Sequence, residues 1–131
     1  MKKIANITSG ECLNEILKAK YHGLFIPFNE AMSVGDYSAE LFSDDFLKQR
    51  AKVHNVSIES YKKTMAAFLT FLKHIHEYDK VALWFGDEPF CQSNVNIIKL
   101  ALKQFNFQGD IIENVVDELS GEIIEQKTCE L

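Results

Sequence analysis

Two adjacent carboxylates, Asp87 and Glu88, follow the apolar run Val81–Phe85 and precede Cys91, Gln92 and Asn94. A carboxylate pair leaving a buried segment can hold a divalent cation, accept from a ribose hydroxyl or take a proton. The same acids suit the start of a helix with no ligand, where negative charge is favoured by about 0.3–1 kcal/mol. The amides of Gln92 and Asn94 can donate to and accept from a ligand, and Asn94 is equally suited to capping a helix. Arg50 is the only arginine in a chain that otherwise uses lysine. Its planar fork fits phosphate or carboxylate, and the structural counterpart of that role is a pair with Glu30, Asp87 or Glu88.

Other reactive types point to less. Cys91 would need a base such as His54 to act as a nucleophile, and neighbouring acids raise a thiol pKa, so a packing role is expected. His74 and His76 lie two residues apart, about 200° around a helix, and cannot share a metal as an i, i+4 pair would. Ser9-Gly10-Glu11 could present a helix N-terminus to an anion, but it lacks the Walker lysine and the full Gly-x-Gly-x-x-Gly pattern. Cys12, Cys91 and Cys129 show no paired zinc spacing and read as reduced thiols; no metal site is expected.

The elements that must position these residues alternate. Ile4–Thr8 reads as a strand, with Ser9 as cap and Gly10 as turn before a helix that carries Leu13, Ile16 and Leu17. Leu24–Phe28 reads as a second strand, which Pro27 sends to an edge, and Asn29–Ser38 as a long irregular loop. Ser43 should cap a helix over Phe46–His54 that ends at Asn55. Ser57 should cap another from about Ile58 to about Glu77. Val81–Phe85 has the continuous apolar character of a central strand, with Trp84 and Phe85 meeting helices on opposite faces. Val95–Phe105 is amphipathic, with Ser93 or Asn94 as its cap, and Asp110–Val116 is a fourth strand. Asp117–Gly121 and Glu122–Lys127 read as a turn and a short terminal strand or frayed segment. The expected fold is α/β: a Rossmann-like, mainly parallel sheet of about four strands with helices on both faces, in a single domain over residues 1–131. Such a sheet gathers Ser9-Gly10-Glu11, Asn29–Asp36 and Gly86–Asn94 at the carboxyl ends of its strands, where open α/β sheets bind ligands.

Composition narrows the partners. The 131 residues carry a net charge of -5, with 14 Lys and Arg against 19 Asp and Glu. Scattered lysines and an acidic balance argue against nucleic acid, which needs clustered positive charge. No apolar run approaches the roughly 20 residues of a membrane span, and the first residues lack a signal-peptide core, so a cytoplasmic protein is expected.

The segment Leu83-Trp84-Phe85-Gly86-Asp87-Glu88-Pro89-Phe90-Cys91-Gln92-Ser93-Asn94 resembles the Leu-Trp-Phe-Gly, acidic, acidic, Met-Phe-Cys-Gln-x-Asn segment of the bacterial domain-of-unknown-function family 1835. Ser9-Gly10-Glu11, the Pro27–Met32 run with Gly35, and the block from Arg50-Ala51 to Tyr61 extend the similarity along the chain. Glu11 stands where that family has aspartate, and Pro89 where Met or Leu is common. The resemblance implies an α/β domain, often the amino-terminal one of a longer protein, and a site after the Leu-Trp-Phe-Gly strand; it implies no established activity.

No motif dictates a reaction, so catalytic residues and cofactors stay unassigned. The leading expectation is a module that binds a small anionic ligand or nucleotide through Ser9, Gly10, Glu11, Glu30, Arg50, Asp87, Glu88, Gln92 and Asn94. The rivals are a hydrolase or phosphoryl-transfer enzyme with a cation on Glu30, Asp87 and Glu88, and a regulatory domain acting through a protein partner or a homo-oligomer.

Overall fold

The structure, a computed structural model, describes residues 2–131. In chain order the elements are β1 (Ile4–Thr8), α1 (Glu11–Lys20), β2 (Leu24–Pro27), α2 (Asp44–Val53), α3 (Ile58–Thr64), α4 (Ala66–Lys73), a single 3₁₀ turn (Ile75–Glu77), β3 (Lys80–Phe85), α5 (Pro89–Gln104), β4 (Asp110–Val116) and β5 (Ile123–Cys129). One sheet of five strands, in the order β2-β1-β3-β4-β5, joins the strands. β1 runs parallel to β2 and β3, and β3 parallel to β4, while β5 returns antiparallel beside β4. The sheet is therefore mixed, and it has one strand more than the expected four.

The additional strand has a local cause. Asp117 accepts at its side chain from the N–H groups of Leu119 (2.8 Å) and Ser120 (3.2 Å), and its carbonyl accepts from Gly121 N (2.7 Å). Gly121, at φ 77, completes the reversal. So tight a return leaves no room for a crossover and forces antiparallel pairing.

Alternation along β3 divides the core between two faces. Ala82 and Trp84 pack with Leu13 and Leu17 of α1 and with Phe25, while Val81, Leu83 and Phe85 pack with residues of α2 to α5. Trp84 Nε1 donates to Asn6 Oδ1 at 3.0 Å, which satisfies the one polar atom of the indole on its buried face. β2 is an edge strand, consistent with Pro27, and Ser43 caps α2 by accepting from Phe46 N at 3.2 Å. Asn55 ends that helical segment at φ 55. No helix among the described residues is long and apolar enough to cross a membrane.

Several boundaries differ from expectation. α5 begins at Pro89, earlier than Val95, with Glu88 extended before it; proline at the first helical position is pre-set for φ and needs no N–H partner. The expected helix from Ile58 is interrupted at Met65 (φ -95, ψ 7) into α3 and α4. Ser9 does not cap α1: Gly10 precedes the helix without a side-chain bond, and the Ser9 hydroxyl turns elsewhere. The stretch between Pro27 and Asp44 is irregular, as expected, and is held in place from inside.

Candidate functional site

Because β1, β2, β3 and β4 are parallel, their carboxyl ends lie on one edge. Backbone bonds stitch this edge together: Ser9 N donates to Trp84 O at 3.1 Å and Phe28 N to Thr8 O at 2.9 Å. The segment after β2 then turns Glu30 inward, where its side chain is wholly buried.

Arg50, on α2 and fully buried, meets it. Arg50 Nε donates to Glu30 Oε2 at 3.0 Å and Nη2 to Oε1 at 2.9 Å, a bidentate pair. The remaining donors go to carbonyls of the irregular segment: Nη1 to Val34 (2.7 Å) and Asp36 (2.9 Å), Nη2 to Ala31 (3.0 Å). All five guanidinium hydrogens are thus accounted for within the chain. Glu30 is equally occupied, with Oε1 also accepting from Ala31 N (2.8 Å) and His54 Nε2 (2.5 Å), and Oε2 from the Tyr61 hydroxyl (2.5 Å).

Electrostatics follow from this arrangement. Burial alone would raise the Glu30 pKa, but the hydrogen bonds from Arg50, Tyr61, the Ala31 N–H and His54 outweigh it and hold the carboxyl at about 2. Tyr61 is pushed up, by burial first and then by its bond to the Glu30 carboxylate. The Arg50 guanidinium is held more firmly charged: Glu30 outweighs its desolvation. With Oε1 ionised and Arg50 committed, the proton between His54 and Glu30 sits on Nε2. His54 Nδ1 has no hydrogen-bond partner among the described residues and is not sealed from solvent.

His54 and Tyr61 line a cleft of about 370 Å³ together with Ser9, Asn29 and Thr64. A second concavity of about 220 Å³ shares Ser9, Glu30 and Ala31 with it and extends to Cys91 and Glu118. There the Ser9 hydroxyl bonds the Glu118 carboxylate, whose Oε2 accepts from Cys91 Sγ at 3.4 Å. Gly86 makes room, since a Cβ on it would stand 3.2 Å from Glu118 Oε2. Burial, then the Glu118 charge, pushes the Cys91 thiol up to about 12, so it is a donor and not a thiolate at neutral pH.

The residues singled out by type and spacing fall into three groups. Ser9 and Glu30 meet at the shared wall, and Gly10 and Glu11 begin α1 beside them, Glu11 accepting from Asn29 Nδ2 at 3.0 Å. Arg50, Gln92 and Asn94 serve the scaffold. Gln92 Nε2 donates to Gly86 O (2.9 Å); Asn94 accepts from Met32 N and donates to Glu30 O (both 2.9 Å), anchoring the backbone that carries the buried carboxylate. Asp87 and Glu88 are exposed ahead of α5 and line neither concavity. Among the described residues no three His, Cys, Asp or Glu side chains are grouped to hold a metal ion. Glu30, Asp87 and Glu88 therefore form no such set.

Type and spacing do not single out Tyr61 or Glu118 for the site, and they give His54 only as a base for Cys91. His54 lies four residues after Arg50, one helical turn along the same face. Glu118 follows the carboxyl end of a parallel strand, the same property that gathers the other polar clusters. Tyr61 gives no such sign, being one of an apolar stripe. Compared with known proteins, the chain matches no family model, no curated sequence and no solved structure.

Proposed function

We propose that the chain is a Rossmann-like domain that binds a small anionic ligand, such as a nucleotide or sugar phosphate, in the cleft at the carboxyl edge of its sheet. One observation carries the reading: His54 has its Nε2 committed to Glu30 and its Nδ1 unpartnered, at the wall of a cleft that Ser9, Asn29 and Thr64 also line. The parallel part of the sheet supports it, because its order β2-β1-β3-β4 reverses direction between β1 and β3, and doubly wound sheets take ligands in the crevice at that point. The first-turn N–H groups of α1 supply positive character, and the His54 ring offers its Nδ1 beside them. Arg50 and Glu30 act behind them as positioning residues, since neither has a hydrogen bond to spare. The affiliation with family 1835 belongs to the same proposal and rests on the Leu83–Asn94 segment.

The test is thermal shift with nucleoside phosphates, sugar phosphates and inorganic phosphate. One class should raise the melting temperature, and His54→Gln, whose amide can still donate to Glu30, should remove that rise. If no compound stabilises the protein, or His54→Gln keeps the full shift, the reading fails. A second reading, hydrolysis with His54 as general base, draws on the same carboxylate-oriented imidazole. It requires turnover of phosphate or carboxylate esters that His54→Gln abolishes, and equal rates in the two proteins would eliminate it.

A further inference from the structure

The two edges of the sheet are built differently. β2 is four residues long and ends at Pro27, which cannot donate to a neighbouring strand. β5 runs for seven residues, Ile123–Cys129, contains no proline, and among the described residues pairs only with β4. It is exposed along nearly its whole length, with Ile124 at 65%. A strand of this kind offers its outer N–H and C=O groups to another strand.

Its sequence says which one. Laid antiparallel against a copy of itself about Gln126, the segment Ile123-Ile124-Glu125-Gln126-Lys127-Thr128-Cys129 places Glu125 opposite Lys127 and Lys127 opposite Glu125. Gln126 then faces Gln126, and Ile124 faces Thr128. Within the chain, neither Glu125 nor Lys127 forms an ion pair among the described residues: Glu125 lies beside Val115, and Lys127 beside a Glu113 that is already paired with Lys99 at 3.0 Å. In this register each Lys127, which a foreign strand would leave facing an unrelated side chain, meets Glu125 of the other copy.

We infer that β5 is the self-association edge of the protein: two copies join antiparallel through Ile123–Cys129 about a two-fold axis at Gln126, extending the sheet across both chains. The contact is isologous, so each Glu125–Lys127 pair occurs twice. It lies away from the ligand cleft and does not depend on it.

Sedimentation of the full chain over a concentration series should show a monomer–dimer equilibrium. Glu125→Lys and Lys127→Glu each place like charges opposite one another, and each should weaken dimerisation by at least tenfold. Mixing the two variants should restore it, because the strand that carries only lysines at these two positions then faces the strand that carries only glutamates. Recovery on mixing is something that misfolding of either variant would not produce. Mild oxidation of Gln126→Cys should give a disulfide linking position 126 of one chain to position 126 of the other, identified by peptide mapping against the wild-type chain. A protein monomeric throughout the series, variants that fail to associate when mixed, or a Gln126→Cys chain without that disulfide would overturn the inference.

Discussion

Glu30→Gln keeps the shape of the side chain, removes its charge and exchanges one of its two acceptor oxygens for an amide NH2 that faces only donors. In the native protein the carboxyl is lowered from 4.5 to about 2. At about 1.4 kcal/mol per pH unit, that difference contributes about 3 kcal/mol of stability. The sign is that of a depressed acid: the contribution is complete above pH 4.5 and is lost as pH falls towards 2. Glu30→Gln should therefore flatten the acid limb of the stability–pH curve across that window. At neutral pH it should cost about 3–5 kcal/mol, because Arg50 is left as an uncompensated buried cation. Against a typical total of about 5–15 kcal/mol this is a large fraction. Urea denaturation from pH 7 to pH 2 measures both effects. Arg50→Met added to Glu30→Gln should cost less than the sum of the two single changes, though carbonyls 31, 34 and 36 stay unpaired. A Glu30→Gln protein that keeps the wild-type slope between pH 4.5 and 2, or loses under about 1 kcal/mol at pH 7, would refute the account.

Tyr61→Phe removes the donor to Glu30 Oε2 and should destabilise by about 1–3 kcal/mol, with the acid transition moved to higher pH, as seen by circular dichroism. Gly35→Ala should cost more than about 1 kcal/mol in urea, because Gly35 sits at φ 71 and a Cβ there would lie 2.6 Å from Val53 Cγ1. Alkylation at pH 8 followed by mass spectrometry should label exposed Cys12 long before Cys91, whose thiol is buried and raised to about 12; equal rates would contradict the geometry around Glu118. Asp87→Asn and Glu88→Gln, both exposed ahead of α5, should each change stability by less than about 1 kcal/mol and leave any ligand-induced thermal shift intact.

What the sequence disclosed was whatever depends on neighbours along the chain. The bounds of β4, the Ser43 cap, the edge position of the strand bearing Pro27 and the division of Trp84 and Phe85 between two faces all follow from local chemistry or a period of two. The start of α5 was also local, since Pro89 is a helix-start signal, but the polar run Gln92-Ser93-Asn94 reads as loop and masks it. The site depends on residues 20 and 31 positions from Glu30, namely Arg50 and Tyr61. Their meeting is decided by how an irregular segment folds back, and no periodicity encodes that. Type marked Arg50 as unusual and gave Glu30 as one of three carboxylates it could pair with, yet it could not choose Glu30 over Asp87 and Glu88.

That mutual satisfaction explains why an ion pair, and not an apolar plug, occupies the base of the cleft. An apolar replacement of a buried pair often stabilises a protein, because it avoids the cost of desolvating two charges. Here, however, the segment between Pro27 and Asp44 has no ladder to take up its carbonyls, and three of them, at residues 31, 34 and 36, turn inward to Arg50. Left unpaired, each would cost about 1–3 kcal/mol, which removes the advantage of a methionine or leucine at position 50. Lysine fails differently: its three donors cannot cover two carboxylate oxygens and three carbonyls. Only a guanidinium closes the network, and in doing so it fixes the loop, the carboxylate and, through Nε2, the plane of the His54 ring. The precision of the cleft wall thus originates in the one arginine the chain contains, which itself touches nothing in the cleft.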